Sequence, residues 1–96
     1  MKVKFNSASQ RELADAVTYY ESQQVGLGLR FLAEVDGAVD RIRENPDTWA
    51  RISSRLRRCL VHRFPFGLYY HTTGDEIQIV AVADLRRDPN RWEDLI

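Results

Sequence analysis

The chain has 96 residues, 44% of them apolar, and its 14 basic and 14 acidic side chains sum to a formal charge of zero. That composition describes one folded domain spanning residues 1–96 rather than a disordered tail, and it lacks the broad positive excess of a sequence-independent nucleic-acid binder. No apolar run reaches membrane-spanning length, Met1 to Phe5 lacks a signal-peptide core, and the single cysteine, Cys59, cannot close an internal disulfide; a soluble, cytoplasmic protein is expected.

Val3 and Phe5 alternate with Lys2 and Lys4, the pattern of a short, half-buried strand. Ser9-Gln10-Arg11-Glu12 reads as a capping box that opens a first helix over about residues 9–23, with Leu13, Ala16, Val17 and Tyr20 on one face. Gly26-Leu27-Gly28 breaks that helix. A second helix over 28–45 carries Phe31, Leu32, Val35, Ala38, Val39 and Ile42 at helical spacing and stops at Asn45-Pro46. Two amphipathic helices with a short connection predict a hairpin whose apolar faces need a sheet to cover them.

The sheet comes from the second half. Trp49 and Ile52 sit in an arginine-rich connection, and three runs of β-branched and aromatic residues follow, broken at Phe64-Pro65 and Thr73-Gly74-Asp75. In the first run Leu60, His62 and Phe64 share one face, and Cys59 and Val61 the other. Ile77 to Ala83 is apolar on both faces, as a central strand should be. Asp88-Pro89 resembles a cap for a short last helix, Asn90 to Leu95. The expected fold is α+β: two N-terminal helices packed on a small antiparallel sheet, with a short C-terminal helix. Leu13, Val17, Val35, Val39, Ile79 and Val82 are expected among the most buried side chains.

Charge is unevenly placed. No acid occurs between Asp47 and Asp75, a span that holds Arg51, Arg55, Arg57, Arg58, Arg63, His62 and His71. Such a zone can meet phosphates, the acids of a protein partner, or only water. Arg57, Arg58, Arg63, Arg86 and Arg87 form the sharpest candidate binding set, since arginine grips phosphate or carboxylate bidentately. Arg58 shares the parity of Leu60 and His62 and is the arginine expected to point inward or to lie across the sheet. His62 and His71 have the pKa for acid–base work. Asp84 is a base, an arginine partner or a turn former, of which the second is preferred. Cys59 reads as a buried strand cysteine before a reactive thiolate, and Trp92 either stacks on a base or packs the last helix. Nothing has metal-ligand spacing, and no cofactor is implied.

The order and spacing of Tyr19-Tyr20-Glu21, Gly26-Leu27-Gly28, Phe31-Leu32, Asn45-Pro46, Arg58, Phe64-Pro65-Phe66, Leu68 to Tyr70, Ile77 to Val82 and Arg86-Arg87-Asp88-Pro89-Asn90-Arg91-Trp92 resemble the RelE/ParE superfamily of bacterial type II toxins, also called plasmid stabilisation proteins. The resemblance implies the same two-helix-on-sheet fold and a cognate antitoxin that wraps and silences the toxin. It implies one of two targets: the ribosome, where RelE-like members cut messenger RNA, or DNA gyrase, which ParE-like members poison. The candidates for a nuclease of this kind are Arg58, His62, Arg87 and Trp92. RelE-like nucleases, however, resemble one another in an arginine that here is Gly67, many relatives carry a histidine where this chain has Asp84, and the only lysines are Lys2 and Lys4. Losing those groups removes charge stabilisation that phosphoryl cleavage needs. The expectation is a ParE-like gyrase inhibitor, with a RelE-like ribonuclease and an inactive antitoxin-binding relative as the alternatives.

Overall fold

The structure, a computed structural model, describes residues 1–87. The expected C-terminal helix, its Asp88-Pro89 cap, Arg91 and Trp92 lie outside the described residues.

Strand β1 (Lys2–Phe5) is followed by helices α1 (Ser7–Gln23) and α2 (Leu27–Glu44), then β2 (Ala50–Arg51), β3 (Arg57–Leu60), β4 (Phe66–Thr73) and β5 (Glu76–Asp84). The sheet order is β1-β5-β4-β3-β2. The meander is antiparallel as expected, but β1 runs parallel to β5, from Lys2 opposite Glu76 to Phe5 opposite Ile79, so the whole sheet is mixed. β5 is therefore flanked on both sides, and its run from Ile79 to Ala83 is apolar, as suits a central strand. The arginine-rich connection contributes the two-residue strand β2, too short to show a periodicity.

The register of β4 on β5 shifts between Tyr69, opposite Ala81, and Tyr70, opposite Ile79. Val80 is the extra residue of this β-bulge. It lets Ile79 and Val82, three positions apart, both face the helices in the main core, while Ala81 and Ala83 face the other side with Tyr69.

Two helix starts differ from the sequence reading. Asn6, not Ser9, caps α1: its Oδ1 accepts the Ser9 N–H at 2.8 Å. Ser9 is instead buried, its Oγ 2.9 Å from the Asn6 carbonyl and 3.0 Å from that of Ile79. Glu12 does not close a capping box on Ser9 but accepts the Val82 N–H at 2.9 Å. The physical reason is that β1 pairs with β5 only as far as Ile79, so the β5 backbone beyond it needs other partners. Helix α1 supplies them. Ser9→Ala removes one of the two donors to the Ile79 carbonyl, which keeps the Asn6 N–H at 3.1 Å, and is expected to cost about 1 kcal/mol, read as a lower urea midpoint at unchanged slope.

Helix α2 begins behind a left-handed Gly26, φ 88°. The Glu21 carboxylate accepts the N–H groups of Gly26 at 2.9 Å and Gly28 at 3.0 Å, filling the role of a cap from the end of the preceding helix. At its other end Arg41 and Arg43 complement the helix dipole.

The anchoring of α1 by Ser9 and Glu12 sets which face it buries. Ala16 and Tyr20 are in the core, whereas Leu13 and Val17 are half-buried between the helices. Of the expected core set Val35, Ile79 and Val82 are buried, and Leu13, Val17 and Val39 only partly so. The first strand of the meander is also shorter than its sequence pattern. It ends at Leu60, Arg63 takes a left-handed φ of 70°, and the Val61 N–H bonds the Phe66 carbonyl at 2.9 Å to close the turn. Cys59 and Val61 point into the core while Leu60 and His62 are exposed. Burial pushes the Cys59 thiol up from its ordinary range, so it is a packing residue. Tyr70 ties sheet to helix hairpin through its hydroxyl, which donates to the Pro46 carbonyl at 2.6 Å, and burial raises its pKa to about 12.

Candidate functional site

The five candidate arginines do not converge. Arg57 lies on the helix side of the sheet and donates to the Trp49 carbonyl at 2.9 Å. Arg58, opposite Tyr69 on β4, lies on the reverse face. Arg63 pairs with Glu34 of α2 at 3.5 Å. Only Arg86 and Arg87 stand together. Alternation along β3 sends neighbours to opposite faces, so an adjacent pair on a strand cannot act as one clamp.

Of the two orientations expected for Arg58, inward or across the sheet, the structure has the second: its stem lies over Gly67 on the face away from the core residues Cys59 and Val61. A Cβ on Gly67 would come within 3.1 Å of the Arg58 Cγ and Cδ, so glycine at this position makes room for the Arg58 stem. The Arg58 Nε is buried there with no hydrogen-bond partner. His62 is exposed in the β3–β4 turn, and His71 is near the far end of β4. Among the described residues no group of His, Cys, Asp and Glu could hold a metal, and no helix is long and apolar enough to cross a membrane.

What the fold does assemble is a cleft of ≈ 460 Å³ between α1 and the end of β5. Glu12, Asp15, Ala16, Tyr19 and Tyr20 recur at three- and four-residue spacing, so one helix face presents them all. Phe66 of β4 and Val82 and Asp84 of β5 form the floor, and Arg86 and Arg87 the lip. Tyr20 is held by edge-on contacts with Tyr19, Phe64 and Phe66 at centroid distances of 5.2, 4.8 and 6.0 Å. Its ring belongs to the core, and burial raises its phenol pKa against the opposing pull of Arg86. Composition gave no hint of this wall. The tyrosine pair reads as packing in the sequence, and only its helical phase with Glu12 and Asp15 marks it as a site.

Asp84 is an arginine partner. Its carboxylate accepts from Arg86 Nε at 3.1 Å, from the second guanidinium nitrogen at 3.0 Å and from the Arg86 backbone N–H at 3.0 Å. Arg87 approaches less closely, at 3.8 Å. The hydrogen bond from Arg86 holds Asp84 below its ordinary 3.8. A depressed folded-state pKa gives stability that is present above the unfolded value and is lost as pH falls through the folded one. Wild type should therefore lose stability below about pH 4 more steeply than Asp84→Asn, a difference that denaturant melts across the acid range will show. Arg87, with 83% of its side chain exposed, remains available at the lip.

An open apolar groove runs along the hairpin where α1 meets α2, lined by Phe5, Leu13, Ala14, Val17 and Leu32. It is the other consequence of α1 turning Ala16 and Tyr20, rather than Leu13 and Val17, to the sheet.

Residues 3–89 match the family described as the ParE toxin of type II toxin–antitoxin system, parDE. Among solved structures the fold is similar to a chain of the chromosomal ParDE toxin–antitoxin system from P. aeruginosa, with a TM-score of 0.74 and 19% identity over 88% of this chain and 95% of that one. No curated protein sequence matches the chain.

Proposed function

We propose that this chain, which belongs to the ParE toxin family of type II toxin–antitoxin systems, acts by inhibiting DNA gyrase and is held inactive by a cognate antitoxin. The observation that carries the choice of target is Asp84. Where the resemblance implies a histidine in many relatives, this chain has a carboxylate that is bonded at both oxygens to Arg86 and is kept ionised. Such a group has no proton to give a leaving oxygen, and its charge opposes that of a scissile phosphate. The stem of Arg58 over Gly67 and the exposed turn position of His62 support the same reading, since neither side chain joins Arg87 in the cleft. The remaining features are those of a contact surface: an aromatic wall, a locked ion pair and one arginine, Arg87, reaching outward.

The test is induced expression with two readouts. Supercoiling by gyrase should fall and DNA-damage signalling rise, while primer extension on translated message shows no cuts. Arg87→Ala removes an exposed side chain and leaves the fold intact; it should weaken gyrase inhibition by about tenfold or more, the scale of one charged anchor. Arg86→Ala should also expose Asp84. Discrete cuts at ribosomal A-site codons, absent in Arg87→Ala, would replace this reading with the ribonuclease.

A further inference from the structure

The opposite end of β4 carries a second recess, of ≈ 310 Å³, between the β2–β3 connection and residues 70–73. Arg51, Arg55 and Arg57 line it, with Asp47 as the one carboxylate among the lining residues. The hydroxyls of Ser53 and Thr73 add polar groups. This is where the acid-free stretch of the sequence closes on itself.

The three guanidiniums differ in how they are held. Arg57 is fixed by its bond to the Trp49 carbonyl. The Ser53 Oγ accepts the N–H groups of Arg55 at 3.2 Å and Leu56 at 3.1 Å, which pins the turn between Arg51 and Arg57. Among the described residues the Arg51 and Arg55 guanidiniums have no hydrogen bond or ion pair. One fork saturates one carboxylate, whereas several forks and hydroxyls around one recess match an anion with three oxygens and up to two charges.

We infer that this recess binds a phosphate group, separately from the cleft at Arg86 and Arg87. The inference stands whether or not gyrase is the target. The phosphate comes from a nucleic-acid backbone or from a free phosphate compound, and one experiment distinguishes them.

The protein is titrated with inorganic phosphate, with a short single-stranded oligonucleotide and with an acidic peptide, following backbone amide resonances. Phosphate should shift the amides of residues 53–57 and 71–73 and leave those of Arg86 and Arg87 in place. Arg51→Gln/Arg55→Gln alters two exposed side chains and should melt as wild type does. It should lose about tenfold or more in affinity, and lower the slope of log affinity against log salt for the oligonucleotide by about 1–2. Tighter binding of the oligonucleotide through the same amides identifies the backbone as the source; a response to phosphate alone identifies a free phosphate compound. Shifts that are absent, that persist in the double variant, or that centre on Arg86 and Arg87 would overturn the inference. So would an acidic peptide that displaces both phosphate probes.

Discussion

Gly28→Val is expected to lower the urea midpoint of the domain severely. A Cβ at this position would stand 2.7 Å from the Val17 carbonyl oxygen and 3.0 Å from the Glu21 side chain. The first obstacle is backbone inside a helix, which cannot rotate away, and valine adds two methyl groups to the collision. Relief requires α2 to move off α1, and that motion breaks the Glu21 bonds to Gly26 and Gly28. Overpacking of this kind costs about 3 kcal/mol, a large share of a total stability on the order of 5–15 kcal/mol for small domains. Gly28→Ala should fall between. Glu21→Gln, which weakens the cap without the collision, should cost about 1 kcal/mol. A Gly28→Val protein that melted with wild type would mean that the helices do not cross this closely.

Val35→Asp carries the second large effect. Val35 is 1% exposed in the centre of the helix–sheet core, where no cation stands to pair with a carboxylate among the buried residues around it. An unpaired charge there costs about 3–5 kcal/mol, or the group stays protonated and unsatisfied at lesser cost. Val39→Asp, one turn along the same helix, should cost about 1 kcal/mol, because a half-buried carboxylate there reaches water. The order of the two urea midpoints checks the orientation of α2 directly.

That contrast shows what the sequence made legible. Helical spacing marks Val35 and Val39 alike, because a period of 3.6 identifies a stripe but not its centre. The centre is set by the contacts of the other layer. For α1 the deciding contacts are polar, Ser9 on Ile79 and Glu12 on Val82, and hydropathy is blind to them. The meander, the helix hairpin and its glycines were readable because each leaves a local signal in turn chemistry or periodicity. The parallel pairing of β1, the two-residue β2 and the bulge at Val80 leave none.

The site divides in the same way. Asp84 beside Arg86 and Arg87 is a contiguous feature of the chain, and its pairing was the preferred reading. The assembly of five arginines failed because charge counted along a sequence does not say which face of a strand it occupies. The tyrosine wall of the cleft went unread as a site, since tyrosines at helical spacing are ordinary packing residues until a strand end is brought beside them.

The parallel pairing of β1 with β5 also constrains the order in which the chain can acquire structure as it is synthesised. The first strand has no partner until Glu76 to Ile79 exist, and α1 has no Val82 to hold until a few residues later. The helix hairpin emerges first and waits without its cover, and the long sequence separation of these closing contacts slows their formation. A nascent chain therefore passes most of its length with only the α1 wall of the cleft present and without its floor or lip. The surface that combines Tyr19 and Tyr20 with Arg87 comes into being only after the final turn of the described chain has been made, so a truncated or stalled product lacks that surface.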